Sequence, residues 1–120
     1  MSKVNLLYSF YLLEVNKVED KEKKIELYET YGKMLTSNMQ DVFEQYYFSD
    51  LSLREIAANN EVSFQAIRDT LKKAEKQLVE METKIGMLDL KEKINELREY
   101  VSNPNMDQKE VINKINKLGE

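Results

Sequence analysis

The chain has 120 residues, enough for one domain or for one domain with an appendage, and its 42% hydrophobic content is sufficient for a packed core. It contains neither Cys nor His, which excludes disulfides and thiolate metal sites and removes the commonest general base. We therefore expect no enzyme activity, no cofactor and no metal site. The net charge of −4 is opposite in sign to that of most nucleic-acid-binding domains.

An apolar segment near the N-terminus, Val4 to Val15, is the first predicted helix. It is too short to cross a bilayer, and no small-residue cleavage site follows it. We interpret residues 1–20 as an N-terminal amphipathic helical extension of a cytoplasmic protein, without membrane insertion. Its broad apolar face requires a partner, either the body of the protein or a second subunit.

Two further amphipathic helices are predicted before residue 50. The first runs from about Lys23 to Leu35, and Thr36 or Ser37 caps the next. Apolar and aromatic residues recur in both at three- and four-residue spacing, which is typical of buried helix faces. They are Ile25, Tyr28, Tyr31, Met34, Leu35, Met39, Val42, Phe43, Tyr46 and Tyr47. We interpret the aromatic cluster at 43–48 as core packing and not as a ligand pocket.

Residues 51–75 have the pattern of a helix-turn-helix. Ser52 is suited to cap a short first helix, and Glu55 three residues later completes a capping box. Ile56 and Ala57 are apolar or small enough to let a second helix cross closely. Two short helices joined this tightly are the usual scaffold for placing one helix in a major groove.

The turn and the second helix of this motif follow directly. Asn59 and Asn60 tolerate the left-handed conformation that would end the first helix. Val62 is predicted to enter the core at the turn, and Ser63 is predicted to cap the second helix.

The second helix is predicted to continue past the usual length of the motif, to about Ile85, where Gly86 ends or bends it. Apolar residues step by three and four along a heptad seam. The seam residues are Leu71, Ala74, Leu78, Met81, Ile85 and Leu88. This seam either packs on the C-terminal helices of the same chain or pairs with a second copy. We expect a homodimer, because palindromic sites need two-fold proteins.

Two shorter helices are predicted after Gly86. Asp89 and Glu92 resemble a capping box before the first of them, and Asp107 is suited to cap the second after a turn at 102–105. Few helix breakers and no strand-like alternation predict an all-α fold throughout.

The predicted elements group into three parts. Residues 1–20 form the extension, residues 21–88 form a helix-turn-helix domain, and residues 89–120 form a helical hairpin that packs on the long helix.

Three blocks of this sequence, in order, resemble a known family. Leu27 to Thr36 looks like that family's Leu-Phe-Asp-Phe-Tyr-Gly-x-Leu-Leu-Thr element, and Tyr46 to Ala57 looks like its Tyr-Tyr-x-x-Asp-x-Ser-Leu-x-Glu-Ile-Ala element. Val62 to Glu75 is similar to its Val-Ser-Arg-Gln-Ala-Val-Tyr-Asp-x-Ile-Lys-Arg-x-Glu element. The family is the YlxM-like group of small bacterial helix-turn-helix proteins, which resemble region 4 of sigma factors.

The resemblance implies a regulatory or accessory role in the signal recognition particle pathway, with components of the particle as partners, because the family's genes tend to lie beside those of the particle and its receptor. Two positions depart from the family's pattern. Phe64 stands where the family usually has Arg, and Arg68 stands where it usually has Tyr.

The exposed side of the second helix of the motif is the candidate nucleic-acid interface. Its candidate contact residues are Gln65, Arg68, Asp69, Lys72, Lys73 and Lys76. Arg suits guanine and Gln suits adenine in a major groove, while lysines suit phosphates. The alternative is a solvated face with local ion pairs, such as Asp69 with Lys72 or Lys73. Both DNA and RNA are open as targets.

Phe64, at the start of that helix, has two interpretations. It either makes an apolar contact, to a thymine methyl group or a protein partner, or packs on a neighbouring side chain, which we favour. The acidic balance of the chain also leaves a second function open. In that alternative the protein is an interaction adaptor of the secretion machinery that does not bind nucleic acid.

Overall fold

The computed structural model describes residues 21–119, and the helix predicted at residues 4–15 lies outside this range. The described residues form six α-helices and no strand, so the all-α prediction is confirmed for them. The helices are α1 (Lys21–Tyr31), α2 (Ser37–Tyr47), α3 (Leu53–Asn59), α4 (Phe64–Ile85), α5 (Met87–Val101) and α6 (Gln108–Lys117), with a short 3-10 helix (Gly32–Met34) after α1. The chain divides into two compact units between Ile85 and Gly86. We call the described residues 21–85 the bundle and residues 86–119 the hairpin.

Helix α4 is the central element of the bundle, because it contacts α1, α2 and α3. Its buried positions include Ile67, Leu71, Ala74 and Leu78, spaced for one helix face. The remaining buried hydrophobic residues of the bundle are Leu27, Tyr31, Leu35, Val42, Phe43, Tyr47, Ile56, Ala57 and Val79. The first half of the predicted heptad seam is therefore used inside this core and is not available to a second copy.

Aromatic packing joins α1 to α2. The Tyr28 ring stacks on the Phe43 ring with 4.3 Å between centroids, and the Phe43 and Tyr47 centroids are 4.4 Å apart. Phe43 and Tyr47 are buried, as core packing requires, whereas Phe48 is 51% exposed. Gly32 is required beside this stack, because a Cβ there would lie 2.8 Å from Cε1 of Tyr28.

Three tyrosine hydroxyls donate hydrogen bonds to glutamate carboxylates across helices of the bundle. The pairs are Tyr28 with Glu44, Tyr31 with Glu82, and Tyr47 with Glu75. Burial, followed by the hydrogen bond to Glu44, raises the pKa of the Tyr28 hydroxyl above its ordinary value. These bonds fix the rotation of α1 and α2 relative to their neighbours.

The end of α1 differs from the prediction. The helix ends at Tyr31, and the chain continues as a 3-10 helix whose last bond runs from the Leu35 N–H to the Gly32 carbonyl at 3.0 Å. The tighter turn places Met34 in solvent, 62% exposed, while Leu35 is buried. Thr36 caps α2 as predicted, because its hydroxyl accepts the Met39 N–H at 3.2 Å.

The junction between α4 and α5 corrects two predictions. Helix α4 ends at Ile85 as expected, but Gly86 has a left-handed φ of +71°, so Leu88 lies on α5 and not on a continuous seam. The predicted Asp89–Glu92 capping box is wrong. Helix α5 begins two residues before Asp89, with Gly86 as an N-cap that makes no side-chain hydrogen bond.

The hairpin consists of α5 and α6, which contact each other. Asp107 caps α6 as predicted, because its carboxylate accepts the Lys109 N–H at 3.0 Å. Tyr100 of α5 accepts the Asp107 backbone N–H at 3.0 Å, and the Lys114 ammonium lies 5.1 Å from the Tyr100 ring centroid. The packing of the hairpin on the long helix stays a prediction.

Candidate nucleic-acid interface

The start of α3 is fixed by the predicted capping box. The Glu55 N–H donates to the Ser52 hydroxyl at 3.1 Å, and the Ser52 N–H donates to the Glu55 carboxylate at 3.1 Å. Hydrogen bonding from Ser52, through its backbone N–H first and its hydroxyl second, lowers the pKa of the Glu55 carboxyl. Ile56 and Ala57 are buried as expected. The first helix of the motif is thus held at both its cap and its apolar face.

The turn between α3 and α4 reverses one residue later than predicted. Glu61 has the left-handed φ of +54°, and Asn60 does not. The Val62 N–H donates to the Ala57 carbonyl at 3.1 Å and the Glu61 N–H donates to the Ala58 carbonyl at 3.3 Å, which together form a Schellman cap. Because the reversal falls at Glu61, Val62 stays outside the core, 46% exposed, and its predicted burial is wrong.

Helix α4 begins with the predicted Ser63 cap, whose hydroxyl accepts the Ala66 N–H at 3.0 Å. All six candidate contact residues on this helix are exposed. At 100° per residue, Gln65, Arg68, Asp69, Lys72 and Lys76 fall within an arc of about 100°, opposite the buried face, and Lys73 lies beside them. We call this set the α4 contact face.

The basic residues of the α4 contact face form no ion pair with a described carboxylate. Arg68, Lys72, Lys73 and Lys76 all lack a carboxylate oxygen within 4.0 Å in the part of the chain that the structure describes. Ion pairs of Asp69 with Lys72 or Lys73 are absent from the described residues, and the alternative of a solvated face stays a prediction. These four cations are available to phosphate or base groups.

Phe64, the first residue of α4, is half-buried. The Arg54 guanidinium, from the first turn of α3, lies over its ring with 4.7 Å between Cζ and the ring centroid. Phe64 thus packs on a neighbouring side chain.

A cleft of about 590 Å³ opens beside the α4 contact face, between α1, the end of α2 and α3. Its basic lining residues are Lys21, Lys24, Arg68 and Lys72, and its acidic ones are Asp50, Glu55 and Glu75. The Lys24 ammonium lies 3.3 Å from the Glu75 carboxylate, which also accepts a hydrogen bond from the Tyr47 hydroxyl. The charge of Glu75 is thereby compensated within the wall of the cleft.

The sequence alone does not single out Arg54, Lys21 or Lys24 as neighbours of the α4 contact face. Arg54 and Phe64 lie on different helices, so helical periodicity does not predict their contact. Lys21 and Lys24 of α1 approach α4 only through tertiary packing. The sequence feature that points to Arg54 is a basic residue at the second position of a short helix that begins the motif.

Residues 21–119 contain no group of three or more His, Cys, Asp or Glu side chains arranged to hold a metal ion. Among the described helices, none is long and apolar enough to span a bilayer.

The comparison with known families agrees with this geometry. A family model described as "Putative helix-turn-helix protein, YlxM / p13 like" (UPF0122) matches residues 18–118. The chain belongs to this family. A UPF0122 protein of Geobacillus sp. (strain WCH70) is 35% identical over 98 residues, which cover 78% of this chain and 89% of that protein.

Two further relatives match over shorter lengths with higher identity. A UPF0122 protein of Thermoanaerobacter sp. (strain X514) is 44% identical over 62 residues, and one of Desulforamulus reducens is 48% identical over 58 residues. The matches cover 52% and 48% of this chain. The chain spans about half the length of these two relatives, 53% and 50%.

Proposed function

We propose that this helix-turn-helix protein is a regulator that binds nucleic acid through the α4 contact face, at residues 63–78. The observation that carries the proposal is a row of exposed cations, free of ion pairs with described carboxylates, on the second helix of the motif. Cations that pair with protein carboxylates would have to exchange partners before binding phosphate. Those of α4 need no such exchange.

The roles within the α4 contact face follow from side-chain chemistry. Lys72, Lys73 and Lys76 meet backbone phosphates, which supply affinity without sequence information. Arg68 and Gln65 have the donor and acceptor geometry that reads guanine and adenine edges, and Asp69 accepts from a cytosine amino group. The lysines therefore set affinity, and the other three residues set preference.

The resemblance to the YlxM-like family directs the choice of target. It implies the signal recognition particle pathway, so the RNA of that particle belongs beside DNA among the probes, and the cytoplasm is the expected compartment.

We also propose a homodimer, since two-fold proteins match palindromic sites. Exposed residues such as Ile94 and Ile112 of the hairpin are available for its interface.

Binding is tested by fluorescence anisotropy with labelled duplex DNA and with the RNA of the particle, over a series of salt concentrations. Substituting Lys72 and Lys73 with Gln should lower the slope of log K against log salt by about 1.8 on duplex DNA, evenly across sequences. Changing Arg68 or Gln65 should instead alter the preference among sequences.

The matched control is Lys109→Gln with Lys117→Gln, which removes the same charge from exposed positions of α6. Equal slopes for the two double variants would contradict the assignment to α4. If the wild-type protein binds neither nucleic acid near 50 mM salt, where electrostatic binding is strong, the proposal fails altogether.

That last result would favour the second candidate function, an interaction adaptor of the secretion machinery without nucleic-acid binding. The observation in its favour is the net charge of −4 over the whole chain. Phe64 would then be a contact to a protein partner. Co-purification with the protein of the signal recognition particle or its receptor, lost in Phe64→Ala, would distinguish this candidate.

A further inference from the structure

We infer that Arg54, held on the ring of Phe64, is a phosphate-binding residue, and that the nucleic-acid interface therefore extends from α4 onto α3. This inference rests on the proposed function and adds to it a site outside the 63–78 segment. Its ligand is a backbone phosphate of the bound DNA or RNA. It is carried by the placement of the guanidinium, which sits 4.7 Å above the Phe64 ring while remaining exposed.

The backbone on both sides of this pair is fixed. The reciprocal Ser52–Glu55 bonds hold the turn of α3 that carries Arg54, and the Ser63 hydroxyl holds the first turn of α4. The Schellman cap at Glu61 closes the connection between the two helices. Arg54 therefore extends from a fixed backbone, so binding a ligand requires little further ordering of the main chain.

The contact with the Phe64 ring places the guanidinium, with 4.7 Å between Cζ and the ring centroid, and a cation–π contact uses none of its hydrogen-bond donors. Arg carries five N–H donors in a planar fork. Within the described residues, no carboxylate lies within 4.0 Å of Arg54, so no protein anion occupies these donors. Phosphate is the group that this planar fork binds in bidentate geometry.

Arg54 adjoins the N-terminal end of the α4 contact face, because Phe64, whose ring lies under its guanidinium, immediately precedes Gln65. One nucleic-acid strand can therefore meet both.

The inference is tested by the salt dependence of binding to labelled duplex DNA, measured for five variants of the full chain. Arg54→Gln should lower the slope of log K against log salt by about 0.9, the value for one phosphate contact. Arg54→Lys should keep the slope, because it keeps the charge, but bind several-fold more weakly because it lacks the planar fork.

Phe64→Leu removes the π-face and keeps the apolar bulk, so it should also weaken binding several-fold with little change in slope. Its effect should disappear when Arg54 is already Gln, because the ring acts through the guanidinium. The control is Arg98→Gln, which removes the same charge from an exposed position of α5 and should change neither quantity. Thermal melting of each variant verifies that it is folded.

The failures of the two proposals are distinguishable. If the wild type binds with a salt-dependent affinity and Arg54→Gln has the same slope as Arg98→Gln, Arg54 contacts no phosphate and only this inference is overturned. Equal effects of Phe64→Leu in the presence and absence of Arg54 would overturn the positioning role of the ring. If the wild type binds no nucleic acid, both proposals fail.

Discussion

The bundle and the hairpin are both made of amphipathic helices, yet only the bundle encloses a core. Thirteen hydrophobic side chains are buried in the bundle, whereas Leu88 is the only one in the described part of the hairpin. Six large hydrophobic residues of the hairpin are instead at least two-fifths exposed. They are Met87, Ile94, Val101, Met106, Ile112 and Ile115.

The difference shows that amphipathic pattern and burial are separate properties. In the bundle, α4 is surrounded by three helices, so its apolar face is covered along most of its length. The hairpin consists of two helices, and a unit of fewer than about 40 residues rarely builds a sufficient core by itself. The bundle therefore provides a rigid frame for the α4 contact face, and the hairpin provides apolar surface.

The largest expected difference between the two units is in the free energy of unfolding after a side chain is truncated. Phe43 of the bundle is fully buried and stacked on Tyr28. Phe43→Ala should lower the free energy of unfolding by about 3–5 kcal/mol, because it leaves a cavity where the aromatic stack was. The hairpin counterpart is Ile112→Ala, at a 54% exposed position. It should change the same quantity by less than about 0.5 kcal/mol.

Urea denaturation of both variants at several protein concentrations measures this comparison. Similar losses in the two variants would break the distinction between the units. A loss in Ile112→Ala that grows with protein concentration would instead indicate that a second copy covers the hairpin, as the proposed homodimer requires.

The sequence predicts the bundle better than the turns that join its helices. The capping signals of Ser52 and Ser63 are local, so a single sequence reveals them, and the same holds for the period of Ile67, Leu71 and Ala74. The left-handed residue is different. Glu61 takes that conformation because the packing of α3 against α4 fixes where the chain must reverse, and this overrides the preference of Asn59 and Asn60.

For the candidate site, the sequence predicts which residues share the exposed face of α4 but not the contacts that their side chains make. Periodicity alone places the residues of α4 on one exposed face, because they share a helix. Whether Lys72 and Lys73 pair with Asp69 depends on rotamers, and the contact of Arg54 with Phe64 depends on the angle between two helices. The spacing of residues along the sequence predicts neither the rotamers nor the angle between the helices.

A smaller effect is expected from the helix caps of the two units. Ser52→Ala removes the hydroxyl that accepts the Glu55 N–H, and it should destabilise the bundle by about 1 kcal/mol. Asp107→Ala removes the equivalent cap of α6. Because the hairpin has little buried core, this change should increase the exchange of α6 amides without changing the unfolding of the bundle.

Hydrogen exchange resolved by residue, combined with denaturation, separates local from global effects. If Asp107→Ala lowered the global stability as much as Ser52→Ala, the two units would unfold together. That result would contradict the expectation that the hairpin opens without the bundle.

The smallest expected effect is a pH dependence confined to the bundle. Because the folded state lowers the pKa of the Glu55 carboxyl through its bonds from Ser52, the charged form contributes stability above the unfolded pKa of about 4.3. This contribution is lost as the pH falls through the lower, folded value. Glu55→Gln cannot titrate, so the difference in the free energy of unfolding between wild type and this variant should shrink on acidification. Amide exchange in α6, corrected for the intrinsic effect of pH, serves as the internal reference. A difference that stays constant between neutral pH and pH values below 4.3 would show that the carboxylate charge does not strengthen the cap of α3, and that the frame of the helix-turn-helix is held by neutral hydrogen bonds and packing alone.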